Sequence, residues 1–473
     1  MAHMGSTRPR HQSAANTGRM RRVAVIGAGW AGLAAALELQ RQGCLVTLFE
    51  RSPAHHGAGG RASTAYAAGE RAPFAIDNGQ HVLLGAYQST LALMQGLGIA
   101  LETTLLRLPA AWHVPGHLDL ALPTWAQSPS PHSVWNTGPF KQLPMAIALF
   151  KACPVNQWPS LAAAALRLQL CTPNAQETVA IWLSRLRFPD ALNDQLWRPL
   201  CYAAMNTPPA IASATVFKRV IQDGLLAGGA AAAMLVPRLD LGKVLPKAAL
   251  TKLERTGAVL KQGCGVHHIT CTPQGVQVFD GAHAHPFDAL VCATTAKDAV
   301  RLLPTDCISP SLRALAAQAP EPITTLHLNM QRHIRLPRAV CVLPEPDGAL
   351  CPLQHAVVID RSYLDPEYIG WHTVVLSCSS AALAYSHEAL VAAGLARLQT
   401  CFPDLNWPST CEGVVIHAKQ ATFACTAGLT RPSMNTNQTC IVLAGDYLAG
   451  AYPATLEGAV RSGMAAAQQL CEL

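Results

Sequence analysis

Gly27-Ala-Gly29-Trp30-Ala31-Gly32 follows the short apolar run Arg22–Ile26 and precedes a helical pattern from Leu33 to Arg41. Three glycines at this spacing can cradle a pyrophosphate. Gly27 permits the tight turn, Gly29 lets the backbone approach the phosphates, and Gly32 lets the helix pack on the strand. The helix N-terminus then turns its free N–H groups toward the anion. A second apolar run, Leu45–Phe49, ends in Glu50, close to the ~20-residue offset at which an acid binds a ribose hydroxyl and disfavours a 2′-phosphate. A glycine fingerprint alone is a weak signal; between a strand, a helix and an acid it predicts a dinucleotide site.

The residues that follow separate a flavin site from a nicotinamide site. After Glu50 come Arg51, then Gly59-Gly60-Arg61, then Asp77-Asn78-Gly79-Gln80-His81. Near the C-terminus the apolar run Cys440–Ala444 enters Gly445-Asp446, and Tyr452-Pro-Ala454-Thr455-Leu456-Glu457 opens a final helix running through Ser462-Gly463. A nicotinamide dehydrogenase needs none of these blocks. Together they resemble the amine oxidase and phytoene desaturase superfamily of flavoproteins. The resemblance implies non-covalent FAD, held by a fold whose C-terminal strand and helix return to complete the cofactor site; no tethering cysteine is evident.

The same resemblance implies a set of cofactor contacts. The fingerprint residues Gly27, Gly29, Trp30, Ala31 and Gly32 are expected at the phosphates, with Glu50 and Arg51 beside them. Gly60 and Arg61 would add charged donors to the pyrophosphate. Asn78, Gly79, Gln80 and His81 form the flavin-proximal block. Val266 would touch the adenine through its backbone. Gly445 and Asp446 would meet the ribityl chain, and Ala454, Thr455 and Leu456 would bring a helix N-terminus to the flavin, where its dipole stabilises negative charge on the reduced ring.

Those groups need a large scaffold. At 473 residues the chain is too long for one hydrophobic core and suits two or three interleaved domains. An α/β fold is expected, with a Rossmann-type FAD domain (22–84, 245–304 and 431–473) carrying a mainly helical, lipid-facing insertion (85–244) and an antiparallel-sheet substrate domain (305–430). The sheet is read from β-type runs at Ile323–Leu328, Ala339–Leu343, His355–Ile359 and Thr373–Cys378, then a helix at Glu388–Thr400 and a strand at Val414–Lys419. Strands are also read at Gly257–Leu260, Cys264–Ile269, Gly275–Phe279 and Asp288–Ala293.

Half of the residues are hydrophobic and only 13% charged, with a mean hydropathy of +0.20. No stretch reaches the ~20 apolar residues of a membrane span, so a large core or a greasy cavity is the expectation. The net charge of +7 is spread along the chain apart from a basic, disordered-looking arm up to residue 21, so no nucleic-acid partner is expected. That arm lacks the apolar centre of a secretory signal. A cytoplasmic protein is expected, with peripheral contact at the inner face of the cytoplasmic membrane as an alternative use of the arm. The 16 cysteines are scattered singly, the histidines show no ligand spacing, and no metal site is expected. His55-His56 reads as a solvated loop.

Three blocks resemble one branch of the superfamily, the hydroxysqualene dehydroxylases, also called squalene-associated FAD-dependent desaturases: Leu196-Trp-Arg-Pro-Leu-Cys201 with Ala204-Met-Asn-Thr-Pro208, Asp77 through Tyr87, and Gly445-Asp-Tyr447 with Tyr452 through Ala459. The similarity runs from about Val23 to the C-terminus. It implies an isoprenoid lipid substrate and reductive loss of an allylic hydroxyl. That chemistry needs a proton donor and a dry tunnel. The donor candidates are His81, Tyr202 and Asp223, with Asn206 as an orienting group, and the residues do not choose among them. With one glycine fingerprint, electrons are expected from a separate, unidentified donor. A carotenoid-type desaturase is the nearest rival. An amine oxidase is third, with Tyr447 and Tyr452 near the block where that family places an aromatic pair.

Overall fold

The computed structural model describes residues 20–54, 57–127, 133, 139–345 and 352–472; most of the basic arm, and His55-His56, lie outside them. A five-stranded parallel sheet carries the nucleotide end, in the order Val259–Gln262, Leu45–Glu50, Arg22–Ile26, Ala289–Cys292, Ile441–Leu443. Its inner strands read as continuous apolar runs because both of their faces are buried. On one face the fingerprint helix Trp30–Arg41 and the final helix Leu456–Glu472 share a core that includes Leu33, Leu39, Val460 and Leu470. On the other lies the antiparallel meander His268–Thr272, Gly275–Phe279, Ala284–Phe287.

A second, antiparallel sheet has the order Val340–Val342, Ala356–Asp360, Trp371–Leu376, Glu321–Asn329, Glu412–Thr422. Helix His387–Cys401 covers it, setting Leu390, Leu395 and Leu398 against Leu326, Leu328 and Val374. Every β-type run read between residues 323 and 419 coincides with one of these strands. The helices Leu143–Ala152, Trp158–Leu170, Val179–Leu186, Arg198–Met205 and Ala214–Val220 form a third layer.

Two expectations need correction. The stretch Cys264–Val266 is not strand: Gly263 adopts φ +69° and the strand stops at Gln262, after joining the edge of the parallel sheet. The region 85–244 also holds strands at Leu105–Leu108, Ala111–Val114, Leu118–Ala121 and Met234–Pro237. At four residues each, they are too short for alternation to identify.

Asp77 ties its block to the distant turn before helix Pro246–Arg255, its Oδ1 accepting from the Leu241 amide at 2.9 Å. Burial, with Asp240 nearby, pushes its carboxyl up to about 7 against the pull of that amide. The folded state therefore favours the protonated form. This contribution to stability is full below the ordinary aspartate range and is lost as pH rises through about 7. Asp77→Asn keeps the acceptor and removes the titration. It is expected to melt above the wild type at high pH, with the gap closing on acidification, a difference on the order of 1–3 kcal/mol between pH 5 and pH 8 in paired thermal melts.

Gly463 allows the two packed helices to touch: a Cβ there would lie 2.1 Å from the Ala31 carbonyl oxygen. Gly463→Ala is expected to cost about 1–3 kcal/mol by overpacking. In denaturant titrations of the flavin-loaded protein, flavin release should shift with unfolding to a lower midpoint.

Candidate active site

One cavity of about 960 Å³ runs from the glycine turn, past the block 78–81, to a distant apolar end. At the nucleotide end Gly27 takes φ +100°, and a Cβ there would meet the Ala293 carbonyl oxygen at 2.8 Å. A Cβ on Gly32 would sit 1.9 Å from the Gly27 oxygen, whereas Gly29 faces open space. The turn is thus closed on its protein side and open toward the cavity, as a phosphate cradle must be. Glu50 accepts from the Ala28 amide (2.7 Å) and the Ser52 amide (2.8 Å), which fixes the carboxylate at the end of its strand.

The Gly59-Gly60-Arg61 loop lies directly on this turn. The Gly59 amide donates to the Ala28 carbonyl at 2.9 Å, and Trp30 Nε1 donates to the Ala62 carbonyl at 3.2 Å. Arg61 donates to Asp446 Oδ1 at 2.5 Å and to the Ala421 carbonyl at 2.9 Å. Arg61 and Asp446, read from the sequence as serving separate parts of the cofactor, are bonded to each other, and both line the cavity. So do Arg51, Asn78, Gly79, Gln80, Val266 and Gly445. Ala454 adopts φ +55°, an unusual conformation for a residue with a Cβ and one that collects at functional sites. Next to it, Thr455 Oγ1 accepts from the Gly458 amide at 3.0 Å and caps the final helix. Ala454, Thr455 and Leu456 therefore present a helix N-terminus at the cavity wall.

These groups fit FAD. The open cradle at Gly29 could hold the pyrophosphate, Glu50 a ribose, and the capped helix the electron-rich side of the flavin ring. Glu457, one residue into that helix, was not singled out from the sequence. It is buried and accepts from the Ser89 and Thr90 amides at 3.1 and 2.9 Å, capping helix Gln88–Gly96 and anchoring the final helix.

The four candidates for the chemistry separate clearly. His81 lies on the wall with Nδ1 2.7 Å from the Gly79 carbonyl oxygen. A carbonyl only accepts, so Nδ1 carries the hydrogen. Burial holds the ring below its usual pKa, which favours the neutral ring with Nε2 as an acceptor. Tyr202 is not on the wall. Its ring stacks on His355 with centroids 3.3 Å apart and planes 9° apart, and burial pushes its hydroxyl up to about 12. Asn206 takes φ +45° at the end of helix Arg198–Met205. Its side chain donates to Thr422 Oγ1 (2.9 Å) and the Glu321 carbonyl (3.2 Å) and accepts from the Cys378 amide (2.7 Å). It clamps the helical layer to the antiparallel sheet, and its polar atoms are already engaged.

Asp223 places a carboxylate on the cavity wall that accepts from a phenol on the same wall. It sits on a π-helical turn, Ile221–Leu225, that continues helix Ala214–Val220, an irregularity frequent at functional sites. Its Oδ2 accepts from the Tyr452 hydroxyl at 2.8 Å and from Arg219 Nε. Arg219 and Tyr452 line the same cavity. The Arg219/Asp223 spacing of four was visible in the sequence; the contact with Tyr452, 229 residues away, was not. Tyr452 faces Tyr87 at 6.4 Å between centroids. Tyr447 is buried in the core away from the wall, so the Tyr447/Tyr452 pairing read from the sequence does not form. A second missed group is Arg361. It is buried over the Phe74 ring at 3.6 Å and donates to Gln80 Oε1 at 3.3 Å, and burial lowers its pKa to about 10. Among the described residues no cluster of side chains has the makings of a metal site.

Known proteins support a flavin cofactor for this fold. The chain is 28% identical to the hydroxysqualene dehydroxylase of Rhodopseudomonas palustris over 474 residues, covering 94% of this chain and 97% of the relative. The enzyme of the same name from Sinorhizobium fredii is 26% identical over 476 residues, with the same coverage. Among solved structures, cyclohexylamine oxidase from Brevibacterium oxydans superposes with a TM-score of 0.66 at 17% identity, over 96% of this chain and 99% of that one. Reduced UDP-galactopyranose mutase gives 0.63 at 15% identity, over 95% of each chain. These two share the fold. The family model described as flavin containing amine oxidoreductase matches residues 30–471: the chain belongs to that family and is an FAD-dependent oxidoreductase.

Proposed function

We propose that the chain removes the allylic hydroxyl of hydroxysqualene to give squalene. The observation that carries this reading is the continuity of the cavity. Its far end, walled by Leu120, Met145, Leu149, Leu196, Trp197 and Leu200, opens into the same space as the glycine turn and the Asp223–Tyr452 pair. An apolar end suits a hydrocarbon chain, and the Asp223–Tyr452 pair offers a hydroxyl a hydrogen-bonding partner on the same wall. The names of the relatives, at 25–28% identity across the whole chain, support the same substrate.

The chemistry consumes one proton and one hydride and releases one water. A proton delivered to the hydroxyl lets the C–O bond break with its electron pair going to the departing water. An allylic cation remains, with its charge spread over the double bond. FAD, when bound and reduced, supplies the hydride that closes the new C–H bond; the electrons that reduce it come from a donor outside the chain. The protein's own residues have three tasks. The apolar wall keeps out water that would trap the cation. Asp223 and Tyr452 form the proton path: the phenol, bonded to Oδ2 in the resting site, turns its hydrogen to the departing hydroxyl and regains a proton from solvent after turnover, while Arg219 holds the carboxylate in place. His81, with Nε2 as an acceptor, holds position through Gly79.

The reaction is tested anaerobically on protein reduced with dithionite, by adding hydroxysqualene and following flavin absorbance and extracted lipid together. Squalene should appear in step with flavin reoxidation. Unchanged substrate over a flavin that stays reduced overturns the proposal; new conjugated double bonds formed from phytoene or squalene by the oxidised enzyme would point to a desaturase. Asp223→Asn and Tyr452→Phe should each slow turnover by roughly 10²–10⁴-fold with flavin content unchanged. Tyr202→Phe should stay within about twofold of wild type, because its hydroxyl does not face the cavity.

A further inference from the structure

Helices Leu143–Ala152 and Trp158–Leu170 form an antiparallel pair over the apolar end of the cavity. Gln169 Nε2 donates to Gln142 Oε1 at 3.1 Å at one end. At the other, Trp158 Nε1 donates to the Phe150 carbonyl at 3.0 Å, with the two rings edge to face at 5.6 Å. The inner faces of the pair are ordinary core: Met145, Ala148 and Leu149 from the first helix, Leu161, Ala164 and Leu168 from the second. The outer face is not ordinary. Trp158, Ala162, Leu166 and Leu170 recur every four residues, so they stack along one side of the helix, and all four are exposed, Leu166 by 59% and Leu170 by 72%. Phe140, Leu143 and Val155, at the ends of the same pair, are also exposed. This helix is apolar on both sides, whereas a helix at a water-facing surface carries polar residues on its outer side.

Charge indicates what covers this face. Between residues 139 and 189 the sequence holds five basic residues, Lys141, Lys151, Arg167, Arg185 and Arg187, and one acid, Glu177. Glu177 is buried and bonded to Arg185 at 2.7 Å; the two helices of the pair themselves carry Lys151 and Arg167, with Lys141 just before them, and no acid. Protruding Trp and Leu set among basic residues match a bilayer surface with anionic headgroups. Among the described residues no helix is long and apolar enough to cross a membrane, so contact is from one side only.

We infer that this two-helix face is a docking surface for an anionic phospholipid leaflet. Met145 and Leu149, on the inner side of the first helix, line the cavity. A lipid drawn from the leaflet thus has one helical layer to pass before it reaches the apolar end. The inference extends the proposed function by saying where its substrate enters, and it stands or falls without any turnover measurement.

The test is flotation of the full chain on a density gradient, without substrate, using vesicles of phosphatidylcholine alone or mixed equally with phosphatidylglycerol. The protein should float with the mixed vesicles, less so at high salt, and poorly with phosphatidylcholine alone. Leu166→Gln with Leu170→Gln should lower partitioning at least ~10-fold, as losing two inserted leucyl side chains requires. Lys141→Glu with Lys151→Glu should abolish the preference for phosphatidylglycerol. Both variants should keep flavin absorbance and an unchanged melting temperature, which separates lost docking from misfolding. The inference is overturned if the wild type does not float or if the leucine variant floats like wild type. It is equally overturned if removing residues 1–19 alone abolishes flotation, or if the leucine variant only converts a dimer to a monomer in sedimentation.

Discussion

The backbone of Gly463 rests against the carbonyl of Ala31, and the rest of the molecule is arranged around that contact. It brings the last helix of the chain onto the first. Such an approach demands the absence of a side chain, and it closes a long loop, which the chain spans in two excursions from the nucleotide sheet, one between Glu50 and Val259 and one between Cys292 and Ile441. What the chain builds meanwhile is the helical layer and the antiparallel sheet. The return is secured by polar groups as well as by packing. Glu457 caps helix Gln88–Gly96, and Arg61 joins the Gly-Gly-Arg loop, Asp446 and the strand ending at Thr422. Three stretches remote in sequence therefore meet at the cofactor end, and a change in any of them reaches the others.

Those bonds also explain which polar residues remain available for chemistry. A buried polar group without a partner is costly, so in so apolar a protein most polar side chains near the cavity are committed to structure. Asn206 is an example: each of its polar atoms is used to hold helix to sheet. Tyr202 lies against His355, off the wall. Asp223 differs in being a carboxylate whose partners, Arg219 and Tyr452, line the cavity with it, so the phenol that satisfies it is itself in reach of a ligand. The π-helical turn at Ile221–Leu225 supplies the extra residue that re-aims this stretch of helix.

How much of this could be read from sequence follows from the range of each interaction. The glycine turn, the acid at Glu50 and the capped final helix are local devices, each written within about ten residues, and the structure has them where the spacing put them. The antiparallel strands between residues 321 and 422 were legible because each is an apolar run bounded by turn residues. The four-residue strands at 105–121 were not, because two alternations do not make a pattern. The proton donor could not be chosen for a different reason. His81, Tyr202 and Asp223 are equally plausible as residue types. What separates them is a carbonyl that fixes a tautomer, a ring stacked from another domain, and a phenol 229 residues away. None of these leaves a trace in the neighbouring sequence.

The unusual apolarity has an answer in two places. Core packing accounts for the strands of both sheets. It does not account for a helix such as Trp158–Leu170, whose buried and exposed sides are both apolar, or for a cavity of about 960 Å³ whose far wall is leucine, methionine and tryptophan. Helix Leu143–Ala152 borders both, with Met145 and Leu149 facing the cavity and Leu143 facing outward. A surface of this kind is penalised in water and favoured against hydrocarbon. A cavity of this kind stays dry unless a ligand of the same character fills it. The two features place apolar surfaces on either side of one helical layer, as the proposed passage of a hydrocarbon chain through it requires.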